Sequence, residues 1–122
     1  MIENGDFKRI SHRPSEFEQR RIEQVVQEFL TSVVPQHYRG PGEVRQQVRE
    51  RTIEFYEAQP HPVHADRLVR LPVALIKGAS DGLWTLYFRG SSGHWVAYPE
   101  GSGLRLGSVL SLIEQDEQGV FW

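Results

Sequence analysis

The chain has 122 residues, no cysteine, 39% hydrophobic and 25% charged residues, and a formal net charge of -2. This length fits one domain with a single core, and the missing cysteines exclude disulfides, thiol nucleophiles and thiolate metal sites. Residues 1–14 are polar and predict a tail, with no signal peptide. No stretch approaches the ~20 apolar residues of a membrane span, so we expect a cytoplasmic protein.

Residues 15–34 predict the first helix. Ser15-Glu16-Phe17-Glu18 has the capping-box pattern, in which each of the two end side chains accepts a hydrogen bond from the other's backbone N–H. Apolar residues then recur at helical spacing, namely Ile22, Val25, Val26, Phe29, Leu30 and Val33. Pro35 disfavours helical geometry at the residue before it, so the helix should end at Val34.

The middle of the chain predicts β-strands. Between residues 44 and 57 the apolar positions change parity near Glu50-Arg51, which predicts two strand segments joined at a bend. Two prolines within residues 59–62 close this region, because proline cannot donate to a strand ladder. Residues 68–77 predict a further strand.

Two aromatic-rich runs predict a β-hairpin. They cover residues 83–89 and 94–98, and the loop Gly90-Ser91-Ser92-Gly93 separates them. A second apolar stripe at helical spacing starts at Leu106 and predicts a C-terminal helix that ends near Asp116. The connections between strands are too short for crossover helices, so the sheet should be antiparallel.

The order of elements predicts an α+β fold. We expect an antiparallel sheet of about four to five strands, with the N-terminal and C-terminal helices packed on one face, in a single domain over residues 15–122. The core should bury Val25, Phe29, Leu110 and Ile113 together. Two helices cover only one face, and alternation leaves open whether the uncovered face carries Tyr87 and Thr85 or Trp84 and Phe88.

No set of residues has the spacing that catalysis or metal binding needs. His61 and His64 stand three apart near Asp66, but zinc needs three or four ligands in tetrahedral array. The Gly90–Gly93 loop lies between strands and not before a helix, so it predicts a hairpin and not a phosphate loop. We therefore assign no catalytic residue, no metal and no cofactor. Whether the protein is an enzyme stays open, and the sequence favours a protein without enzymatic activity.

The aromatic hairpin is the best candidate for a binding surface. Exposed aromatic rings beside Arg89 stack on bases or anchor a protein partner, whereas the simpler interpretation is that cross-strand aromatic pairs stabilise the sheet. We expect a protein partner or a homo-oligomer. We do not expect nucleic-acid binding, because neither half of the chain has a basic excess.

Two functions therefore stay open. The favoured one is a small non-catalytic binding or interaction module that uses an aromatic sheet face or an edge strand. The alternative is a small ligand-binding protein or enzyme with a pocket near Glu57, Lys77, Tyr87 and the His61–His64 loop. The candidate ligand-binding or partner-binding residues for these two functions are Glu57, Lys77, Trp84, Tyr87, Arg89, Trp95 and Tyr98.

Several short motifs resemble an uncharacterised bacterial family, the domain of unknown function 3024. The motifs, which follow the family's order over roughly residues 17–122, are Pro72-Val73-Ala74, Trp84-Thr85-Leu86-Tyr87-Phe88, Gly93-His94-Trp95-Val96-Ala97-Tyr98, Leu110, Ile113, Asp116 and Gly119-Val120-Phe121-Trp122. The resemblance implies the fold and the domain boundary and no activity.

The chain departs from this family pattern at two basic positions. The family's Glu-x-Arg-Pro reads Glu57-Ala58-Gln59-Pro60 here, and its Ala-Lys pair reads Ala74-Leu75. If the two basic groups form a shared anion site in the family, this chain lacks both. Glu57 and Lys77 are the members of such a site that would remain.

Overall fold

The computed structural model of the protein describes residues 13–122, so most of the predicted N-terminal tail lies outside the described residues. The described elements, in chain order, are α1 (Glu16–Ser32), α2 (Val34–His37), β1 (Glu43–Arg49), β2 (Thr52–Pro60), β3 (Leu68–Gly78), β4 (Trp84–Arg89), β5 (Trp95–Ala97) and α3 (Leu106–Gln115).

The five strands form one sheet in the order β1-β2-β3-β4-β5, and every neighbouring pair is antiparallel. Each strand therefore pairs with the strand that precedes or follows it in the chain, as the short connections predicted. One irregularity interrupts the ladder, since the register between β2 and β3 shifts between Phe55 and Tyr56. The predicted α+β class with an antiparallel sheet is confirmed.

The predicted capping box begins α1. The Ser15 hydroxyl accepts a hydrogen bond from the Glu18 backbone N–H at 3.0 Å, and the Glu18 carboxylate accepts one from the Ser15 N–H at 3.2 Å. Beyond α1, Pro35 lies in the first turn of the four-residue helix α2 and does not stop helical structure at Val34. A first-turn proline is tolerated because the N–H it lacks has no intrahelical acceptor there.

The bend predicted near Glu50-Arg51 is a tight turn between β1 and β2. Glu50 adopts a left-handed backbone with φ of 55°, and Arg49 pairs directly with Thr52 across the turn. The two turn residues explain the change of apolar parity, because they bring Val48 and Ile53 opposite each other on the same side of the sheet.

Both long helices pack on the same face of the sheet. Phe29 of α1 lies 5.5 Å from the Phe55 ring, and Ile113 of α3 is 1% exposed in the same apolar cluster. Alternate strand residues complete this cluster, and its fully buried members Ile53, Ile76 and Leu86 come from three neighbouring strands. We call this side of the sheet the covered face.

Candidate binding surface

The side of the sheet away from α1 and α3 is called the open face. Alternation and the strand register place a set of charged and aromatic side chains on it. The members used below are Glu43, Arg45, Arg49, Glu54, Tyr56, Arg70, Leu75, Lys77, Tyr87, Arg89 and Trp95.

Three cations on the open face lie against aromatic rings. The Arg70 guanidinium carbon is 3.8 Å from the centre of the Tyr56 ring. The Lys77 Nζ is 5.8 Å from the centre of the Tyr87 ring, and the Arg89 guanidinium carbon is 5.5 Å from that of Trp95. All three separations fall within the ~6 Å range of a cation–π interaction.

A polar network surrounds Arg70. Its Nη2 donates a hydrogen bond to the Gln47 side-chain oxygen at 2.9 Å and lies 3.8 Å from a Glu54 carboxylate oxygen. The third contact is the Tyr56 ring. The guanidinium is thus held over the Tyr56 ring by groups from β1 and β2.

Leu75 forms the apolar centre of the open face. It pairs with Glu54 on one side and with Tyr87 on the other, and it is only 8% exposed although it points away from both long helices. The half-buried Tyr87 ring beside it remains accessible within the described residues.

Of the aromatic residues singled out from the sequence, Tyr87 and Trp95 lie on the open face. Trp84 and Tyr98 lie in the core, each 5% exposed. Trp84 pairs with Gly78, where any Cβ would come within 2.9 Å of the indole ring, so the glycine makes the space that this indole occupies. Tyr98 packs against the Phe121 ring at 5.5 Å. The core pair is therefore unavailable to a partner in this conformation.

Glu57 lies at one end of the sheet in a cavity of about 510 Å³. Its carboxylate accepts a hydrogen bond from the Gly42 backbone N–H at 3.3 Å. Three cationic or titratable side chains, His37, Arg39 and Arg89, share the cavity lining with it. The remaining residues of the pocket proposed from the sequence, Lys77, Tyr87, His61 and His64, do not line this cavity.

The two loop histidines lie close together, with ring centres 5.1 Å apart. The Nδ1 atom of His61 accepts hydrogen bonds from the backbone N–H groups of Val63 and His64, both at 3.0 Å. One ring nitrogen is thus engaged by the turn itself. Within residues 13–122, no group of three His, Asp or Glu side chains is placed to hold a metal ion.

Tyr56 and Arg70 were missed in the sequence because they belong to different strands. Their meeting depends on the β2–β3 register, and that register shifts next to Tyr56. His37 and Arg39 were missed for a similar reason, since His37 ends α2, Arg39 follows it, and both come near Glu57 only through the tertiary fold. For Tyr56 and Arg70, the sequence offered only the signal that each residue lies in a run predicted to form a strand.

The two positions that depart from the family pattern lie on opposite sides of the sheet. Leu75 is on the open face, whereas Gln59 has the parity of Phe55 and Glu57 on the covered side. They do not form one site in this chain. Lys77 lies two residues after Leu75 and on the same face.

Within residues 13–122, fold and surface together define an antiparallel α+β domain in which α1 and α3 cover one sheet face and the opposite face carries the cation–aromatic pairs. The model of the family described as "Domain of unknown function (DUF3024)" matches residues 14–122. The chain belongs to this family. Comparison with curated proteins and with solved structures found no match. No helix in the described part of the chain is long and apolar enough to cross a membrane.

Proposed function

We propose that the protein is a non-catalytic binding module that holds its partner on the open face. The observation that carries the proposal is the placement of three cation–aromatic pairs on this face, while both long helices pack on the other. Aromatic and arginine side chains are the residues that dominate binding energy in protein interfaces.

Fold stability gives little reason for such an array. An exposed cation–aromatic pair contributes about 0.5–1 kcal/mol, which is small beside the 2–5 kcal/mol of one buried aliphatic side chain. Lys77 and Arg89 are exposed, so their charged ends are already solvated. These groups are therefore better suited to contact with a partner than to holding the domain together.

The edge strands of the sheet are less suited to partner binding than the open face. β5 has only three residues, Trp95–Ala97, which gives a short edge. The exposed residues of β1 include Glu43, Arg45 and Arg49, and charged side chains on an edge oppose strand addition. We therefore assign binding to the face of the sheet and not to its edges.

Site-directed photocrosslinking in the native cells tests this assignment for any class of partner. A photoreactive amino acid replaces Ala97, which is exposed on the open face, or Ser108, which is exposed at the start of α3. We expect adducts from position 97 and few from position 108. Equal adduct yields from the two positions, or adducts from position 108 alone, would contradict the proposal.

A second candidate function is binding of a small zwitterionic molecule in the cavity at the end of the sheet. This candidate is favoured because Glu57, His37, Arg39 and Arg89 line the same cavity, whose volume is about 510 Å³. An Arg39→Gln variant would lose such binding, whereas Lys77→Gln would keep it. The cytoplasmic location expected from the sequence and the bacterial origin implied by the family resemblance both stay predictions.

A further inference from the structure

The open face is basic although the whole chain is slightly acidic. Its strands carry five cations, Arg45, Arg49, Arg70, Lys77 and Arg89, against the two carboxylates of Glu43 and Glu54, whereas the chain has a formal net charge of -2. Salt screens charges beyond about 8–10 Å. An approaching anion therefore responds to this face and not to the net charge.

Within residues 13–122, three of these cations have no acidic partner, whereas the other two do. Arg45 is paired with Glu43 at 3.2 Å, and Arg70 is held by Gln47 and Glu54. Arg49, Lys77 and Arg89 make no ion pair with any carboxylate of residues 13–122. Lys77 and Arg89 lie beside aromatic rings instead.

The aromatic rings distinguish between classes of polyanion. The face of an aromatic ring is electron-rich and repels a carboxylate, so an acidic peptide would use the cations and gain little from Tyr87 and Trp95. A nucleobase stacks on such rings while its phosphate reaches a neighbouring cation. Alternation of rings and cations on one surface therefore favours a polynucleotide.

The shape of the surface favours a single strand. Five strands at about 4.8 Å spacing span about 19 Å, which accommodates a few nucleotides laid across the sheet. Bases in a duplex are stacked on each other, so only an unpaired strand offers its base faces to side chains. A sheet with helices behind it presents these side chains on a fixed support.

We propose that the open face binds single-stranded nucleic acid, with bases stacked on Tyr87 and Trp95 and phosphates held by Arg49, Lys77 and Arg89. This inference rests on the proposed function, since it names the partner of the same surface. It departs from the expectation drawn from net charge, because that expectation took no account of how the fold sorts charges between the two faces.

Fluorescence anisotropy of labelled U10 and dT10 tests the proposal. We expect a Kd on the order of 10 μM at 50 mM salt, within the usual range for sequence-independent binding. Three neutralised phosphates would give a slope of about -2 in log K against log salt. Binding of both oligonucleotides assigns the shared chemistry, and a preference for U10 would point to a contact with the 2′-hydroxyl.

Matched charge variants separate the open face from the net charge. The double variant Arg49→Gln/Lys77→Gln and the double variant Arg20→Gln/Arg21→Gln remove the same charge, the second from exposed positions of α1. We expect the open-face pair to weaken binding at least tenfold and to reduce the salt slope by about 1.4. The α1 pair should change Kd less than twofold.

A variant that removes an aromatic ring provides a second test of the proposal, directed at base stacking. Trp95→Ala should weaken binding about tenfold and leave the salt slope unchanged, since it removes a stacking surface and no charge. Circular dichroism melting confirms that each variant is folded. No saturable binding at 200 μM protein, or equal loss from the two double variants, would overturn the proposal.

Two further outcomes separate this inference from the proposed function. Deca-glutamate that competes as well as U10 would show that charge alone drives binding, and the nucleic-acid assignment would be wrong. Protein adducts from position 97 without oligonucleotide binding would also make it wrong while leaving the binding module intact. Absence of adducts from position 97 would count against both.

Discussion

The two faces of the sheet are built from the same strands but differ in burial and in the kinds of side chain they carry. On the covered face, alternate residues such as Ile53, Ile76 and Leu86 are fully buried beneath two helices. On the open face, the residues between them are cations and aromatic rings in contact with each other. Burial of apolar area stabilises the fold, so the covered face, which holds nearly all of the buried apolar residues, is the main source of stability.

The comparison teaches that, among the described residues 13–122, the packing of α1 and α3 uses only one face of the sheet. Leu75 shows that the open face also has a structural role, because it is buried there although it lies on the side opposite α1 and α3. Substitutions on the covered face should therefore change the free energy of unfolding. Substitutions of exposed charges on the open face should change binding instead.

The largest effect is expected from Phe29→Ala on the covered face. Phe29 is 6% exposed and packs against Phe55, so its truncation should lower the free energy of unfolding by about 3–5 kcal/mol. Phe17 offers a matched control on the same helix, since its side chain is 74% exposed. Phe17→Ala should change stability by less than about 0.5 kcal/mol in urea titrations. Similar losses from both would contradict this packing of α1.

A smaller effect is expected at Asp116, which attaches the chain end to the covered face. Its carboxylate accepts backbone hydrogen bonds from Val120 at 2.8 Å and Trp122 at 3.0 Å, and from Phe121 at 3.2 Å. Asp116→Asn removes the charge and one acceptor, and it should cost about 1–2 kcal/mol. The exposed neighbour Glu117 provides the control variant Glu117→Gln, which should leave the melting temperature unchanged.

The smallest effect on stability is expected from the Arg49→Gln/Lys77→Gln variant of the open face. Both side chains are exposed, and exposed charge interactions contribute about 0–1 kcal/mol. The free energy of unfolding should therefore stay within about 0.5 kcal/mol of the wild type. A loss above 2 kcal/mol in the same urea titration would mean that these cations hold the fold together, and the division between the two faces would fail.

Local patterns predicted the elements well because each one rests on interactions within a few residues. The Ser15–Glu18 capping box, the apolar stripe of α1 and the bend at Glu50-Arg51 all appear in the structure. The first helix ends at Ser32, close to the predicted end at Val34, but the short helix α2 that follows and contains Pro35 was not predicted. Backbone geometry in that first helical turn tolerates a residue without an N–H.

The candidate site was only partly accessible to such reasoning. Alternation in β4 separated Tyr87 from Trp84, so the sequence predicted two sets of side chains on opposite faces. It did not decide which set the helices cover. The partnership of Arg70 with Tyr56 was also beyond prediction, because it depends on a register that shifts beside Tyr56.

The sequence by itself determined the strands, the two long helices and the antiparallel order, since periodicity and short connections are local properties of the chain. Only the tertiary structure decided which aromatic residues became core. Trp84 is buried because it pairs with Gly78, which has no side chain to compete for the space under the helices. Tyr87 is only half-buried because its pairing places it beside Leu75 on the side of the sheet opposite α1 and α3.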